Sequence, residues 1–257
     1  MGHVRTLIGL AVAVGLQVMP TVAAAQTGPR PVTPAAPGDF LFARPKAEVG
    51  VRVGWSFNRG SSDWYDFVTD QLTLDQGDFN AFALASDVGV WLTGRFTAVG
   101  GVEYTHTNPG SEYRRFVDNN RQPINQSTRL NVVHATGGIK YALLDRGRAI
   151  GRLVWIPARV APYLAAGGGA TYYELRQEGD FVDFVDRSVF PALLRSTGWA
   201  PTFYVGGGAD IRVLRRMLVS ADFRYRRATA DLNNTWVDFD PLDLSGAQVT
   251  VGTAWQF

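Results

Sequence analysis

The stretch Lys46–Phe57 reads KAEVGVRVGWSF, and the chain's last residues, Gly246–Phe257, read GAQVTVGTAWQF. In both, apolar residues alternate with polar or small ones, so an extended strand would have one apolar face and one polar face. Soluble strands usually have about 5–6 residues, whereas a tilted strand that crosses a bilayer needs about 9–11. The two stretches therefore predict membrane-spanning β-strands.

Eight segments of this kind can be traced along the chain, joined alternately by long loops and short connections. The long loops cover about 58–81, 107–127, 176–201 and 229–243, and the connection at about 144–159 is the least regular of the short ones. This layout is typical of an all-β, eight-stranded antiparallel up-and-down transmembrane β-barrel. An even number of strands is expected to leave both chain termini on the short-turn, periplasmic side. The segments lie near 46–57, 82–92, 96–106, 128–143, 160–175, 202–213, 217–228 and 244–257.

The polar face decides which side of the barrel is inside. It is rich in glycine, which a water-facing surface does not need but a crowded lumen does. It also carries equal numbers of acidic and basic residues, as a closed interior requires, because an unpaired buried charge is costly. We therefore expect lipid outside and a plugged, ion-paired lumen, although a soluble barrel with a charged exterior is the alternative. The lumen network is predicted to contain Glu48, Asp87, Glu103, Asp210 and Asp222 with Arg52, Lys140, Arg212, Arg224 and Arg226.

Within that network the strand phases predict specific neighbours. Glu103 and Lys140 lie on consecutive segments and are expected to pair. Asp210 and Arg212 are expected to face Asp222, Arg224 and Arg226 on the next segment.

The N-terminal region differs in composition from the rest. Residues 1–25 have a short basic start, an apolar run and Ala23-Ala24-Ala25, which is the layout of a cleaved signal peptide. Residues 26–45 contain five prolines and are predicted to be a periplasmic linker, followed by the barrel at 46–257. The chain has no cysteine, and its formal net charge of +2 gives no indication of nucleic-acid binding.

Three stretches resemble the small eight-stranded outer-membrane β-barrel proteins, the family of the OmpA-type transmembrane domain, OmpX and the opacity proteins. They are PYLAAGGGA at 162–170, FYVGGGAD at 203–210 and VTVGTAWQF at 249–257. The resemblance implies a Gram-negative outer-membrane location, with outer-membrane lipid and lipopolysaccharide as surroundings, and a monomer. It also implies that Trp255 and Phe257 form an assembly signal for the barrel assembly machinery.

No motif indicates catalysis, a metal or a cofactor. His106 lies in a stretch similar to that of outer-membrane lipid A deacylases, but Asn108 stands where those enzymes have serine. His134 is expected in the lumen network. A structural or surface-interaction role in envelope integrity, adhesion or shielding is therefore predicted first, a narrow gated pore second, and a lipid-modifying enzyme third.

The long loops are the expected interaction surface. The first and fourth are acidic, with Asp231, Asp238 and Asp240 in the fourth, and contain no calcium-binding spacing. We expect the loop aromatic residues to anchor at lipid headgroups. They are Trp64, Tyr65, Phe67, Phe181, Phe184, Trp236 and Phe239.

Overall fold

The computed structural model describes residues 40–234, 236–237 and 239–257. The predicted signal peptide, most of the predicted linker and Asp238 lie outside the described residues. No helix in the described part is long and apolar enough to cross a membrane.

Twelve strands and two short helices make up the described part of the chain. The strands are β1 (Ala47–Asn58), β2 (Ala81–Trp91), β3 (Phe96–Thr107), β4 (Gly110–Val117), β5 (Pro123–Ala142), β6 (Gly147–Ile150), β7 (Val154–Pro157), β8 (Val160–Val182), β9 (Val189–Arg212), β10 (Met217–Ala230), β11 (Leu242–Asp243) and β12 (Gly246–Gln256). An α-helix, α1, spans Asp63–Gln71, and a 3-10 helix spans Gln76–Phe79.

Eight of these strands close into a ring in which every pairing is antiparallel. The ring runs β1, β2, β3, β5, β8, β9, β10, β12 and returns to β1. The paired positions traced from Phe57 around the ring lead back to β1 at Ala47, ten residues from the start. A stagger of this size tilts the strands by about 40°, and eight strands leave an interior just wide enough for side chains. The eight predicted strands and the barrel are thus confirmed.

The loops differ from the predicted ones. Strands β8 and β9 continue to Val182 and back from Val189, so the third long loop is a β-hairpin that extends beyond the barrel. Alternation continues there, but several outward positions are polar, and such a pattern does not predict a lipid-facing strand. The connection at about 144–159 contains the β6–β7 hairpin.

The first long loop contains α1. Trp64, Tyr65 and Val68 are buried on one side of this helix. Asp63 and Asp66 lie in its first turn, where negative charge interacts favourably with the helix dipole. The predicted long loop at 58–81 therefore contains a folded segment with an apolar side.

Candidate functional site

The centre of the lumen is organised around Arg52 on β1. Its Nε and Nη2 atoms bind the two carboxylate oxygens of Asp87 at 2.5 and 2.9 Å. Its Nη1 lies 3.4 Å from Asp222, which also binds Nε of Arg224 at 2.7 Å. The hydroxyl of Tyr163 donates to the second Asp222 oxygen at 2.7 Å. Arg52 thus links Asp87 to Asp222 across the barrel, and Asp222 is shared with Arg224.

Toward the short-turn end, Lys140 is the central cation. Its Nζ lies 2.7 Å from Asp210 and 3.6 Å from Glu48, and 4.0 Å from the ring centre of Tyr163. Asp210 therefore binds Lys140 instead of the β10 charges that the strand phases predicted. The reason is the stagger of the barrel, which brings residues of non-adjacent strands to the same level.

Toward the long-loop end, Glu103 Oε1 accepts a hydrogen bond from Arg226 Nη1 at 2.9 Å, and both side chains are buried. The predicted Glu103–Lys140 pair is wrong, although both side chains point inward as expected. In the β3–β5 register, Glu103 lies opposite His134, whereas Lys140 lies opposite Thr97, which is six residues before Glu103 in β3. The two charges are thus at different levels of the lumen.

A cation that the sequence did not single out completes the lumen. Arg146, in the turn before β6, is buried, donates to the Thr97 hydroxyl at 2.7 Å and lies 4.7 Å from the ring centre of Trp91. Nothing in an isolated turn arginine signals that it folds back into a barrel. The predicted member Arg212 is the last residue of β9 and is only half-buried.

Glycines make room for the lumen tyrosines. A Cβ on Gly138 would lie 2.6 Å from the hydroxyl oxygen of Tyr204, and one on Gly208 would lie 2.7 Å from that of Tyr163. Both distances are shorter than real Cβ contacts allow. The glycine-rich polar face therefore supplies the space that the aromatic rings fill.

Above the charged layer, the long-loop end is filled by an apolar cap. Trp64, Tyr65 and Trp236 are buried in one cluster with residues of the upper barrel wall such as Leu130 and Leu175. The expected headgroup anchoring of the loop aromatic residues is therefore wrong for these three. They pack into the barrel mouth because burial there removes more apolar surface from water than a position at the lipid headgroups would.

The other loop aromatic residues lie at the edge of the cap or on the β8–β9 hairpin. Phe67 and Phe239 are partly buried against the cluster, Phe181 is buried against Phe190, and Phe184 is exposed. Only Phe184 remains largely open to its surroundings.

Hydrogen bonds to Asp243 join the first and fourth loops. Its carboxylate accepts from the backbone and hydroxyl of Ser61 and from the backbone of Ser245, and its own backbone N–H donates to Ser62. Burial raises the pKa of Asp243, but the hydrogen bonds from Ser245 and Ser61 outweigh it and hold the pKa below its usual value. The cap is thus fastened by an ionised carboxylate.

Within the described residues, two small cavities lie inside the barrel. One of about 30 Å³ lies between the cap and the Glu103–Arg226 pair, and one of about 50 Å³ lies around Arg52 and Lys140. Such volumes admit only a few water molecules. The lumen is therefore occupied almost throughout.

The outer surface carries a continuous apolar belt. Valines, phenylalanines and other large apolar side chains on the ring strands are about half exposed, a surface that soluble proteins do not present to water. A closed barrel with this belt satisfies its backbone hydrogen bonds internally and can face lipid. The chain is an eight-stranded transmembrane β-barrel. The predicted lipid-facing residues all lie in this belt: Val49, Val51, Val53, Phe96, Val102, Phe203, Val205, Phe223, Val249 and Val251.

Comparison with known proteins shows distant similarity to solved structures. No family model and no curated protein matches the sequence. Solved structures that match include the outer membrane protein OprG from Pseudomonas aeruginosa, with 11% identity and a TM-score of 0.43 over 84% of this chain and 99% of that chain. Neisserial surface protein A matches with 13% identity and a TM-score of 0.41, over 86% and 98%. Ail, the attachment invasion locus protein of Yersinia pestis, matches with 13% identity and a TM-score of 0.42, over 82% of this chain and 99% of that chain. The fold assignment rests on this chain's own strand pairing and belt.

The remaining candidate residues form no assembled catalytic or metal site in the described part of the chain. His106 Nδ1 lies 2.6 Å from the amide oxygen of Asn131, and His134 Nδ1 lies 2.7 Å from the Thr171 hydroxyl. No group of three or more histidine or acidic side chains there could hold a metal ion. Trp255 and Phe257 lie at the short-turn end and are exposed.

Proposed function

We propose that this protein is a monomeric outer-membrane barrel with a structural and surface-interaction role. The barrel would anchor a folded cap at the cell surface without conducting solutes. The observation that carries the proposal is the double closure of the lumen, by buried ion pairs in the lower and middle parts and by the apolar cap at the mouth. In this proposal the short-turn end would face the periplasm and the cap would lie outside the cell.

The acidic, folded outer end supports a role at the surface. Folding a cap around Trp64 and Trp236 orders the first and fourth loops against each other. An ordered surface suits adhesion, shielding or lateral contacts better than mobile loops do, because less conformational entropy is lost on binding. Outer-membrane lipid and lipopolysaccharide would surround the belt, and the barrel assembly machinery would recognise Trp255 and Phe257 during insertion.

The test is a strain that lacks the protein. We expect increased sensitivity to detergent, restored by the wild-type chain, with unchanged uptake of small hydrophilic solutes. Reduced solute uptake with an intact detergent barrier would contradict the structural role and favour a pore.

A narrow gated pore is the second candidate, because both lumen cavities are lined by polar and charged side chains. In that case the ion pairs around Arg52 would form the gate. Electrical recording of single barrels separates the two functions.

A further inference from the structure

The short-turn end of the barrel carries a strongly basic rim. Seven exposed cationic side chains lie at this end, on the short connections or directly before β1: Lys46, Arg95, Arg148, Arg152, Arg159, Arg215 and Arg216. Within the described residues, Asp145 is the only acidic side chain on these connections, and it binds Arg95 at 2.8 Å. The lumen charges do not offset this excess, because they neutralise one another inside the barrel.

The rim lies directly at the edge of the lipid belt. Arg95 precedes Phe96 and Arg159 precedes Val160, both of which face outward and are exposed. One residue along a tilted strand advances by about 3 Å. The guanidinium groups are therefore at the level of lipid headgroups and not out in the aqueous phase.

A groove of about 550 Å³ at the same edge combines apolar and cationic side chains. Its lining includes Phe42, Leu214, Arg215, Arg216, Trp255 and Phe257. The four apolar side chains are between 46% and 78% exposed. Neither Arg215 nor Arg216 has an ion-pair partner among the described residues. Exposed apolar surface beside unpaired guanidinium groups matches one kind of ligand, an anionic headgroup with attached acyl chains.

We propose that this groove and the surrounding rim bind an anionic phospholipid of the periplasmic leaflet. Its phosphate would bind Arg215 and Arg216, and its acyl chains would lie over Trp255 and Phe257. The assignment to that leaflet rests on the proposed function, which places the short-turn end in the periplasm. A soluble phosphate ion could bind the same two arginines but would not contact the apolar lining.

Native mass spectrometry of the folded full chain in detergent tests the proposal. The barrel is mixed with equal amounts of phosphatidylglycerol and phosphatidylcholine that carry identical chains. The wild type should retain more phosphatidylglycerol. A basic residue near a membrane surface contributes about 1 kcal/mol toward anionic lipid, which is about a fivefold preference. The R215Q/R216Q variant should therefore lose about tenfold or more of the preference, and added inorganic phosphate should not displace the lipid.

Two control variants separate headgroup, tail and net charge. R59Q/R129Q removes two exposed arginines at the opposite end and should keep the wild-type preference. Phe42→Ala should reduce retention of both lipids equally, because it removes apolar contact and no charge. All variants should show wild-type heat-modifiable mobility, since the substituted side chains are exposed.

Three results would overturn the proposal. They are equal retention of the two lipids by the wild type, an equal loss of preference in R59Q/R129Q, and binding to isolated peptidoglycan without a lipid preference. The last would assign the rim to an anionic polymer. A conducting barrel would contradict the proposed function but leave the lipid preference unchanged, so the two failures are distinguishable.

Discussion

Replacing Glu103 with alanine removes one partner of the buried Glu103–Arg226 ion pair in the lumen. The Glu103 and Arg226 side chains are 5% and 6% exposed, and a single 2.9 Å contact joins them. Breaking a buried pair typically costs about 3–5 kcal/mol, because the remaining charge is left uncompensated. The adjacent cavity of about 30 Å³ can admit water beside Arg226. We therefore expect a loss of stability at the lower end of this range, about 3 kcal/mol. Urea titration of the barrel in lipid vesicles measures the change in the free energy of unfolding.

A double-mutant cycle identifies the source of that loss. The E103A/R226A variant should be more stable than the sum of the two single losses implies, by about 2 kcal/mol or more. The matched control is the exposed pair Arg176–Glu178, whose charged groups are 2.7 Å apart. Glu178→Ala should lower the free energy of unfolding by about 1 kcal/mol or less. The reasoning is refuted if E103A costs no more than E178A, or if the two lumen losses simply add.

Further predictions concern the belt, the lumen glycines and the cap. Val51→Arg should lower the free energy of unfolding in vesicles by about 2–4 kcal/mol because Val51 faces lipid. The control Val185→Arg, at the fully exposed hairpin tip, should change the free energy of unfolding by no more than about 0.5 kcal/mol. Equal effects of the two substitutions would contradict the position of the belt. Gly138→Ala should cost about 1–3 kcal/mol, since its Cβ would lie 2.4 Å from a backbone oxygen, while Gly94→Ala, with nothing within 4 Å, should be neutral in the same titration. Because the folded-state pKa of Asp243 is lowered, its contribution should be complete above the unfolded pKa of about 4 and be lost as the pH falls through the lower, folded value. Protease cleavage of the loops should therefore increase on acidification in the wild type, and Asp243→Asn should be cleaved faster at neutral pH with a weaker pH response; an identical response would refute the role of this carboxylate.

Alternation along the strands predicted the barrel because a period of two is a local property of the sequence. The resulting inward and outward assignment of Val51, Phe203 and Glu103 agrees with the observed exposure. Which charges meet inside could not be derived in the same way. Partners in the lumen depend on the stagger of the whole ring, and a pair such as Arg52 and Asp222 is 170 residues apart in the chain.

The cap and Arg146 escaped prediction for a related reason. Trp64 and Trp236 lie in loops whose acidic composition indicated solvent exposure, and only the closed ring provides the apolar mouth that buries them. Arg146 lies over the ring of Trp91, and Trp91 is buried with Leu41 and with Trp155 of the β6–β7 hairpin. Neither packing arrangement has a local sequence signal.

Single-barrel electrical recording in planar bilayers tests the central claim, that ion pairs and the cap close the lumen. The wild type should show small or intermittent current in concentrated potassium chloride, because buried ion pairs and the apolar cap occupy the lumen. The two cavities described between them measure about 30 and 50 Å³. A large and steady conductance from the unmodified barrel would contradict the account.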